Sequence, residues 1–491
     1  MPPLPRDLYT SAQVRELDRT AIERYGIPGD ELMRRAGGAA FELLRERWPQ
    51  ARRIGVLCGA GNNGGDGYVV AALALEAGLG VELVQLGDPT SVRGDAKLAR
   101  DRYLAAKGME QTYAATLPVG DVLVDALLGT GLEREVEGRW CEAIERANTA
   151  ATPILSIDTP SGLATDDGRI RGAAVRADAT ISFIGLKRGL LTGDAPDCVG
   201  ELYFDDLGVP EAVYAEVEPV ARLLDAGDFA ELLGARRRTA HKGAFGHVLV
   251  IGGDHGMGGA ARMAAEAAAR VGAGLTSVAT RARHVPAITA ARPELMVAAV
   301  EDPGELEPLL RRATVIAIGP GLGRGTWSRA LLSRVLESDR ALVLDADALT
   351  LLAEEPLRRE DWILTPHPGE AARLLGVTVA EVQADRYSAV AALRDRYGGT
   401  CVLKGAGTLI HDAGPTGVCA AGNPGMASGG MGDVLTGVIA GLRAQGLDRR
   451  QAARAGVCLH ACAADGAAAQ GGERGLLATD LLPELRRLVN P

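Results

Sequence analysis

Aromatic residues are scarce, only 4% of this 491-residue chain, and its seven cysteines form no CxxC pair. Few aromatics mean cores built from Ala, Val, Leu and Ile, with many of the 64 glycines in tight loops. The cysteine spacing offers neither a disulfide framework nor a zinc knuckle. Cys458 and Cys462 lie one helical turn apart, but His460 between them would project from another face. Reduced, buried thiols in a reducing compartment are expected.

An excess of positive charge is also missing. Lys and Arg number 53 against 63 Asp and Glu, a formal net charge of −10, which argues against a general nucleic-acid binder. The short run Arg236-Arg237-Arg238 reads as a solvated loop. No apolar run approaches the roughly 20 residues needed to span a bilayer. Residues 1–15 carry proline and charge instead of an apolar leader core. A cytoplasmic protein with no membrane partner is expected.

What is present is alternation. Thr10 reads as the cap of a helix through Arg24, with Val14, Leu17, Ala21 and Ile22 facing inward. Strand patterns follow at 53–58, 81–86, 121–124, 153–157 and 179–183, with one at 200–204 to close the sheet. Helical patterns such as 68–77 and 95–106 fill the gaps, which predicts a doubly wound, mostly parallel sheet. Between Val209 and Asp228 the pattern weakens into what reads as a linker. A second α/β series begins at 247–251, with strands at 275–279, 315–318, 341–344, 362–364, 400–403 and 408–411. Long helices are predicted at 258–271, 432–444, 449–469 and 479–488. The halves share no repeated motif, so two different α/β domains are expected, 1–215 and 225–491.

The first concentrates chemistry in three loops. Gly59, Gly61 and Gly64 fit G-x-G-x-x-G at a strand-to-helix turn, where backbone N–H groups can meet a pyrophosphate. Asn62, Asn63 and Asp66 add oxygens to the loop tip, a donor type that suits a hard cation. Asp125 and Asp158 end two further strands, at the edge where open α/β sheets bind ligands.

GAGNNGGDG at 59–67, DALLGTG at 125–131, IDTPSGL at 157–163 and FIGLKRGLLTG at 183–193 together resemble the NAD(P)H-hydrate epimerase domain. The resemblance implies a Rossmann-like sheet in which Asn62, Asn63, Gly64, Gly65 and Asp66 touch a hydrated dinucleotide. Gly129, Thr130, Gly131, Leu132, Glu133, Arg134 and Glu135 would do the same from the next loop. It implies a potassium ion held by Asn63, Asp125 and Ser161, and Asp158 as acid/base. A carboxylic acid suits that role, because interconverting R and S hydrates needs reversible loss of a ring hydroxyl. For Lys187, loop support, phosphate contact and a plain surface position all remain open.

The densest motif lies at 422–437. Gly422, Gly425, Gly429, Gly430 and Gly432 surround a helix start, an anion nest at the positive end of a helix dipole, with Asp433 in the first turn. The segments Gly319–Gly323, Asp345–Leu349, Thr365–Glu370 and Lys404-Gly405 each follow a predicted strand and should reach the same sheet edge. This half resembles the ribokinase-like superfamily. NPGMASGGMGDVLTG with TPHPGE, GPGLG and VLKGAGT more narrowly resembles the ADP- or ATP-dependent NAD(P)H-hydrate dehydratase.

That resemblance implies a nucleotide, with Mg²⁺, on Lys404, Gly405, Asn423, Gly425, Met426, Ser428, Gly429, Gly430, Met431 and Gly432. Gly321, His367 and Asp433 would meet the hydrated nicotinamide, with Asp433 catalytic. NADH-hydrate and NADPH-hydrate are the implied substrates, with ADP or ATP as co-substrate and AMP or ADP and phosphate released. A homo-oligomer is expected. Three rivals remain: a vitamin or sugar kinase with an added Rossmann-like domain, a non-catalytic binding protein, and an NAD dehydrogenase.

Overall fold

The structure, a computed structural model, describes residues 3–132, 134–229 and 231–490. Its contacts divide into two compact units, one ending at Arg222 and the other starting at Leu223.

The first unit contains β1 (Asp7–Tyr9), β2 (Arg53–Cys58), β3 (Gly80–Gln85), β4 (Glu110–Thr112) and β5 (Val122–Ala126). It continues with β6 (Ile154–Ile157), β7 (Ala179–Phe183), β8 (Leu186–Lys187) and β9 (Glu201–Asp205), and the short β10 (Ala221–Leu223) runs across the boundary. One parallel sheet runs in the order β4-β3-β2-β5-β6-β7-β9. The chain winds outward from β2 to β4, then returns to β5 and runs the other way. The reversal between β2 and β5 is the point where such sheets open a crevice.

Both faces of this sheet are covered, as period-2 alternation shows. Ile54, Val56, Val122 and Val124 join one apolar cluster, while Leu57, Val84 and Leu123 join another. Strands buried on both sides must be apolar throughout, which is why they were readable.

The first helix, Ser11–Glu23, has Thr10 and Gln13 in a reciprocal capping box. Its inward stripe is narrower than expected: Val14, Leu17 and Ala21 are buried, but Ile22 is 40% exposed. The stretch expected as a linker is mostly structured. It holds the helix Glu211–Tyr214, buries Val213 and Val217, and pairs β10 with β1, which also pairs with β8.

The second unit has β11 (His247–Ile251), β12 (Leu275–Thr280), β13 (Met296–Ala299), β14 (Val315–Ile318) and β15 (Ala341–Leu344). It is completed by β16 (Trp362–Leu364), β17 (Thr400–Leu403), β18 (Thr408–His411) and β19 (Thr416–Cys419). The order is β13-β12-β11-β14-β15-β16-β17-β18-β19, parallel except for the last two ladders. Its switch point lies between β11 and β14.

The helix Met431–Ala444 packs on Gly258–Arg270 through small residues. A Cβ at Gly437 would stand 2.0 Å from the Ala264 carbonyl oxygen, and one at Gly441 2.6 Å from Val271 Cγ2. Replacing Gly437 with Val must push the backbones apart, so Gly437→Val is expected to lower stability by about 3 kcal/mol or more. Denaturant unfolding would measure this, and an unchanged midpoint would contradict the tight seam. Among the described residues no helix is long and apolar enough to cross a membrane.

Candidate active sites

The first cleft opens at the switch point of the first unit, with a volume of about 620 Å³. Its floor is a glycine turn that tolerates no side chain at two of its positions, Gly59 and Gly64. A Cβ at Gly59 would lie 2.0 Å from the Leu127 carbonyl oxygen, and one at Gly64 2.0 Å from that of Gly59. Gly65 is packed against Met33 and Ala96. Gly64 and Gly65 therefore act through backbone, and neither lines the cleft wall among the described residues. Asn62, Asn63, Asp66, Gly129, Thr130, Gly131, Leu132 and Arg134 do line it. Glu135 is exposed and stands apart from that wall. Glu133 lies outside the described residues.

Asn63 and Ser161 converge on one carbonyl, and Asp125 lies behind Ser161. Asn63 Nδ2 donates to Leu128 O at 3.0 Å, and Ser161 Oγ lies 3.2 Å from the same oxygen. Ser161 Oγ donates to Asp125 Oδ1 at 2.5 Å, while Ser161 N and Ser156 Oγ each donate to Oδ2 at 2.8 Å. Burial raises the Asp125 carboxyl above its ordinary range, against the lowering effect of these bonds. Asn63 Oδ1 is buried with no hydrogen-bond partner. An orphaned amide oxygen beside a fully buried carboxylate costs free energy that a cation would offset. Among the described residues no set of three or more His, Cys, Asp or Glu is arranged for a metal. One carboxylate with amide and hydroxyl oxygens is a different donor set, suited to a hard monovalent ion.

Asp158 follows β6 in the left-handed region, with φ of 66°, which costs a non-glycine residue strain. Its carboxylate meets Lys187 Nζ, which also donates to Ser182 Oγ at 3.0 Å and Phe183 O at 3.1 Å. Lys187 is only 1% exposed, so the surface reading is wrong. All three ammonium donors are engaged, leaving none for a phosphate. Asp18, from the first helix, lines the same cleft and was not singled out in the sequence, because it reads as the polar side of an amphipathic helix. Burial raises Asp18 to about 6, with Lys187 opposing and Asp158 adding. Asp66 is pushed well above its ordinary value by burial and by Asp158 and Asp18.

In the second unit Gly430, at φ of 93°, caps the helix Met431–Ala444 and turns the loop into it. The N–H groups of a first helical turn have no intrahelical acceptors and face outward as a nest. The loop is anchored at both ends. Asn423 Nδ2 and Gly422 N bond the Asp465 carboxylate at 2.8 and 2.9 Å, Asn423 Oδ1 accepts from Gly425 N, and Ser428 Oγ reaches Leu476 O at 3.0 Å. Asn423 and Ser428 therefore shape the loop, and the Met431 side chain is buried in the core. Met426 is half-buried against the same core, while Gly429 has open space around it.

Beneath the nest lies an ion network. Lys404 Nζ bonds Asp345 Oδ1 at 2.7 Å and approaches Glu370 Oε2 at 3.8 Å, and Thr436 Oγ1 donates to Asp345 Oδ2 at 2.8 Å. A Cβ on Gly432 would be 3.3 Å from Lys404 Nζ, so the helix start sits against this lysine. Burial raises Asp433 to about 7, with Asp345 adding and Lys404 opposing. Burial likewise raises Glu370. Lys404 is raised too, because Asp345, Glu370 and Asp433 outweigh its own burial.

His367 accepts at Nδ1 from Gly369 N at 2.9 Å, capping the helix Pro368–Leu375, and its side chain is 56% exposed. Gly321, at φ of 59°, abuts Met257, and its oxygen accepts from Asp254 N at 2.7 Å. Gly405, at φ of 139°, lies over the Arg386 guanidinium. Asp254 was missed in the sequence. It follows β11 and is held by Arg281, which stacks 4.1 Å over Trp327.

Lys404→Met removes the cation bonded to the buried Asp345 carboxylate. Breaking one side of such a pair costs about 3–5 kcal/mol. Thermal unfolding should show a clear drop in midpoint, and no drop would mean the pair is not coupled to folding.

Comparison with known proteins gives these sites a context. Residues 248–487 match the family model described as NAD(P)H-hydrate dehydratase, and 29–189 the one described as YjeF-related protein N-terminus. The bifunctional NAD(P)H-hydrate repair enzyme of Coxiella burnetii is 54% identical over 99% of both chains. That of Escherichia coli is 46% identical over 99% of this chain and 95% of its own. A ribokinase-like superfamily protein of Enterococcus faecalis, known as a structure, is 32% identical over 54% of this chain and 94% of its own, with a TM-score of 0.51. Fold and sites thus define a fused α/β enzyme, a parallel-sheet unit with a glycine-rich crevice followed by a ribokinase-like unit. The chain belongs to the family of bifunctional NAD(P)H-hydrate repair enzymes, with a YjeF-related N-terminal domain followed by an NAD(P)H-hydrate dehydratase domain.

Proposed function

We propose that the first unit interconverts the R and S hydrates of NADH and NADPH, and that the second dehydrates the S form at the expense of ADP or ATP. The observation that carries this reading is Asp433 in the first turn of a glycine-nest helix, against the Lys404–Asp345 pair. Hydroxide is a poor leaving group and phosphate a good one. Asp433 takes the proton of the substrate hydroxyl as that oxygen attacks the terminal phosphoryl group, and the nest stabilises the transferring charge. The ring nitrogen then expels phosphate to give a C=N⁺ bond, and loss of a proton from the adjacent ring carbon to solvent restores the dihydropyridine, with AMP or ADP left behind.

Gly429, Gly430, Met431 and Gly432 contribute backbone to the nucleotide, while Asn423, Gly425, Met426 and Ser428 hold the loop that presents them. Lys404 and Gly405 form the opposing edge, and Gly321 and His367 flank the nicotinamide. Asp345, Asp347, Glu370 and Asp433 outnumber Lys404, a balance that suits Mg²⁺ brought with the phosphates. Mg²⁺ would supply neutralisation of the phosphoryl charge.

In the first cleft Asp158 is the acid/base toward the ring hydroxyl. Asn62, Asn63 and Asp66, with Gly129, Thr130, Gly131, Leu132 and Arg134, hold the dinucleotide. Asn63, Asp125 and Ser161 would hold K⁺, the orphaned Asn63 Oδ1 supplying a ligand oxygen. That ion would supply positive charge near the diphosphate. The test is recovery of NADH absorbance from a mixed R/S hydrate with ADP and with ATP side by side. Recovery with at least one nucleotide is expected, and none with either would sink the dehydratase reading.

A further inference from the structure

The first cleft holds more acid than a single acid/base residue accounts for. Asp18 reaches it from the helix Ser11–Glu23, Asp66 from the helix Asn62–Glu76, and Asp158 from the turn after β6. Asp158 is fixed twice, by its left-handed backbone and by the fully engaged Lys187 ammonium. Asp18 differs: among the described residues no hydrogen-bond partner is found for its carboxyl. The groups facing it are Lys187 from β8, Asp158, Asp66 and the Tyr214 phenol from the helix Glu211–Tyr214.

Epimerisation makes a demand that one fixed carboxylate does not meet. The hydroxyl leaves from one face of the ring and water must return to the other. A group pinned by its backbone and by a buried lysine serves one side of the ring, so a second proton-transfer group is needed. Asp18 is the acid that reaches the cleft from a separate element, the helix Ser11–Glu23.

We propose that Asp18 is a second catalytic acid/base of this cleft, working together with Asp158, and that Lys187 is the residue that positions Asp158. The proposal rests on the epimerase reading of the first unit. In one direction the Asp18 carboxyl gives its proton to the ring hydroxyl. The C–O bond breaks, water departs, and the ring nitrogen lone pair forms a C=N⁺ bond. Water then adds to the other face of that carbon, the C=N⁺ electrons return to nitrogen, and the Asp158 carboxylate takes the released proton. Exchange with solvent moves that proton back to Asp18, so nothing is oxidised or reduced. In the opposite direction the two acids swap roles.

The experiment uses the full chain with mixed hydrate and excess nucleotide. The S form is consumed in a fast phase and the R form in a slow phase limited by epimerisation. Asp18→Asn is expected to slow the slow phase by about 100-fold or more, toward the enzyme-free rate, with the fast phase and the unfolding midpoint unchanged. Asp18→Glu should restore part of the lost rate. A slow phase within about threefold of wild type in Asp18→Asn overturns the proposal, threefold being less than 1 kcal/mol. So does a loss accompanied by a lowered midpoint and no rescue by Glu, which marks a structural role. Lys187→Met should lower kcat of the slow phase at unchanged KM; a change in KM alone removes its positioning role. A wild-type slow phase equal to the enzyme-free rate defeats the epimerase reading itself, and this proposal with it.

Discussion

Asp433→Asn is expected to abolish nucleotide-driven return of NADH from its S hydrate while nucleotide binding persists. The substitution is close to isosteric and relieves a burial cost, so the fold should be untouched. Loss of a positioned general base costs about 10²–10⁴-fold in rate. The pH dependence has a defined sign. Burial holds Asp433 near 7, and a base works only when ionised. The rate should therefore be flat above that value and fall about tenfold per pH unit below it. Steady-state kinetics from acid to alkaline pH would show the limb in the wild type. Retained turnover in Asp433→Asn would remove the residue from the chemistry.

Asp158→Asn should leave one epimer consumed rapidly and the other stranded. Asn tolerates the left-handed backbone at φ of 66° better than most residues, so the turn is kept while the acid/base function is lost. The slow phase of hydrate consumption should drop by about 10²–10⁴-fold, toward the spontaneous rate. An enzyme-free control sets that floor. A slow phase equal to that of wild type would contradict the assignment, whatever happened to the fast phase.

These two residues illustrate what the sequence made legible. Asp433 sits inside a dense local motif, where glycine spacing, helix start and acid coincide. Asp158 closes a buried strand, and strands buried on both faces announce themselves by apolar runs. The charged surroundings of both residues were hidden. Lys187 meets Asp158 across 29 positions, Lys404 meets Asp345 across 59, and Thr436 reaches Asp345 across 91. No local periodicity encodes such pairings; they arise from which strands the sheet places side by side. Asp18 was hidden for a different reason, since a polar residue on an amphipathic helix reads as solvated. Short strands such as β1, β8 and β10 carry too few residues for a pattern, and their pairing turned an expected linker into packed structure. Main-chain roles were legible only as glycine. The side chains of Ser428 and Asn423 turned inward to hold the loop, which spacing alone could not show.

The central claim is that one chain returns both epimers of a hydrated nicotinamide cofactor to the usable dihydropyridine. A single progress curve tests it: mixed R/S NADH-hydrate, the full chain and excess nucleotide, followed by NADH absorbance to completion. The account predicts two phases that together recover all of the hydrate, the second faster than the enzyme-free epimerisation rate. Recovery that never exceeds the no-enzyme control with ADP or with ATP would contradict it.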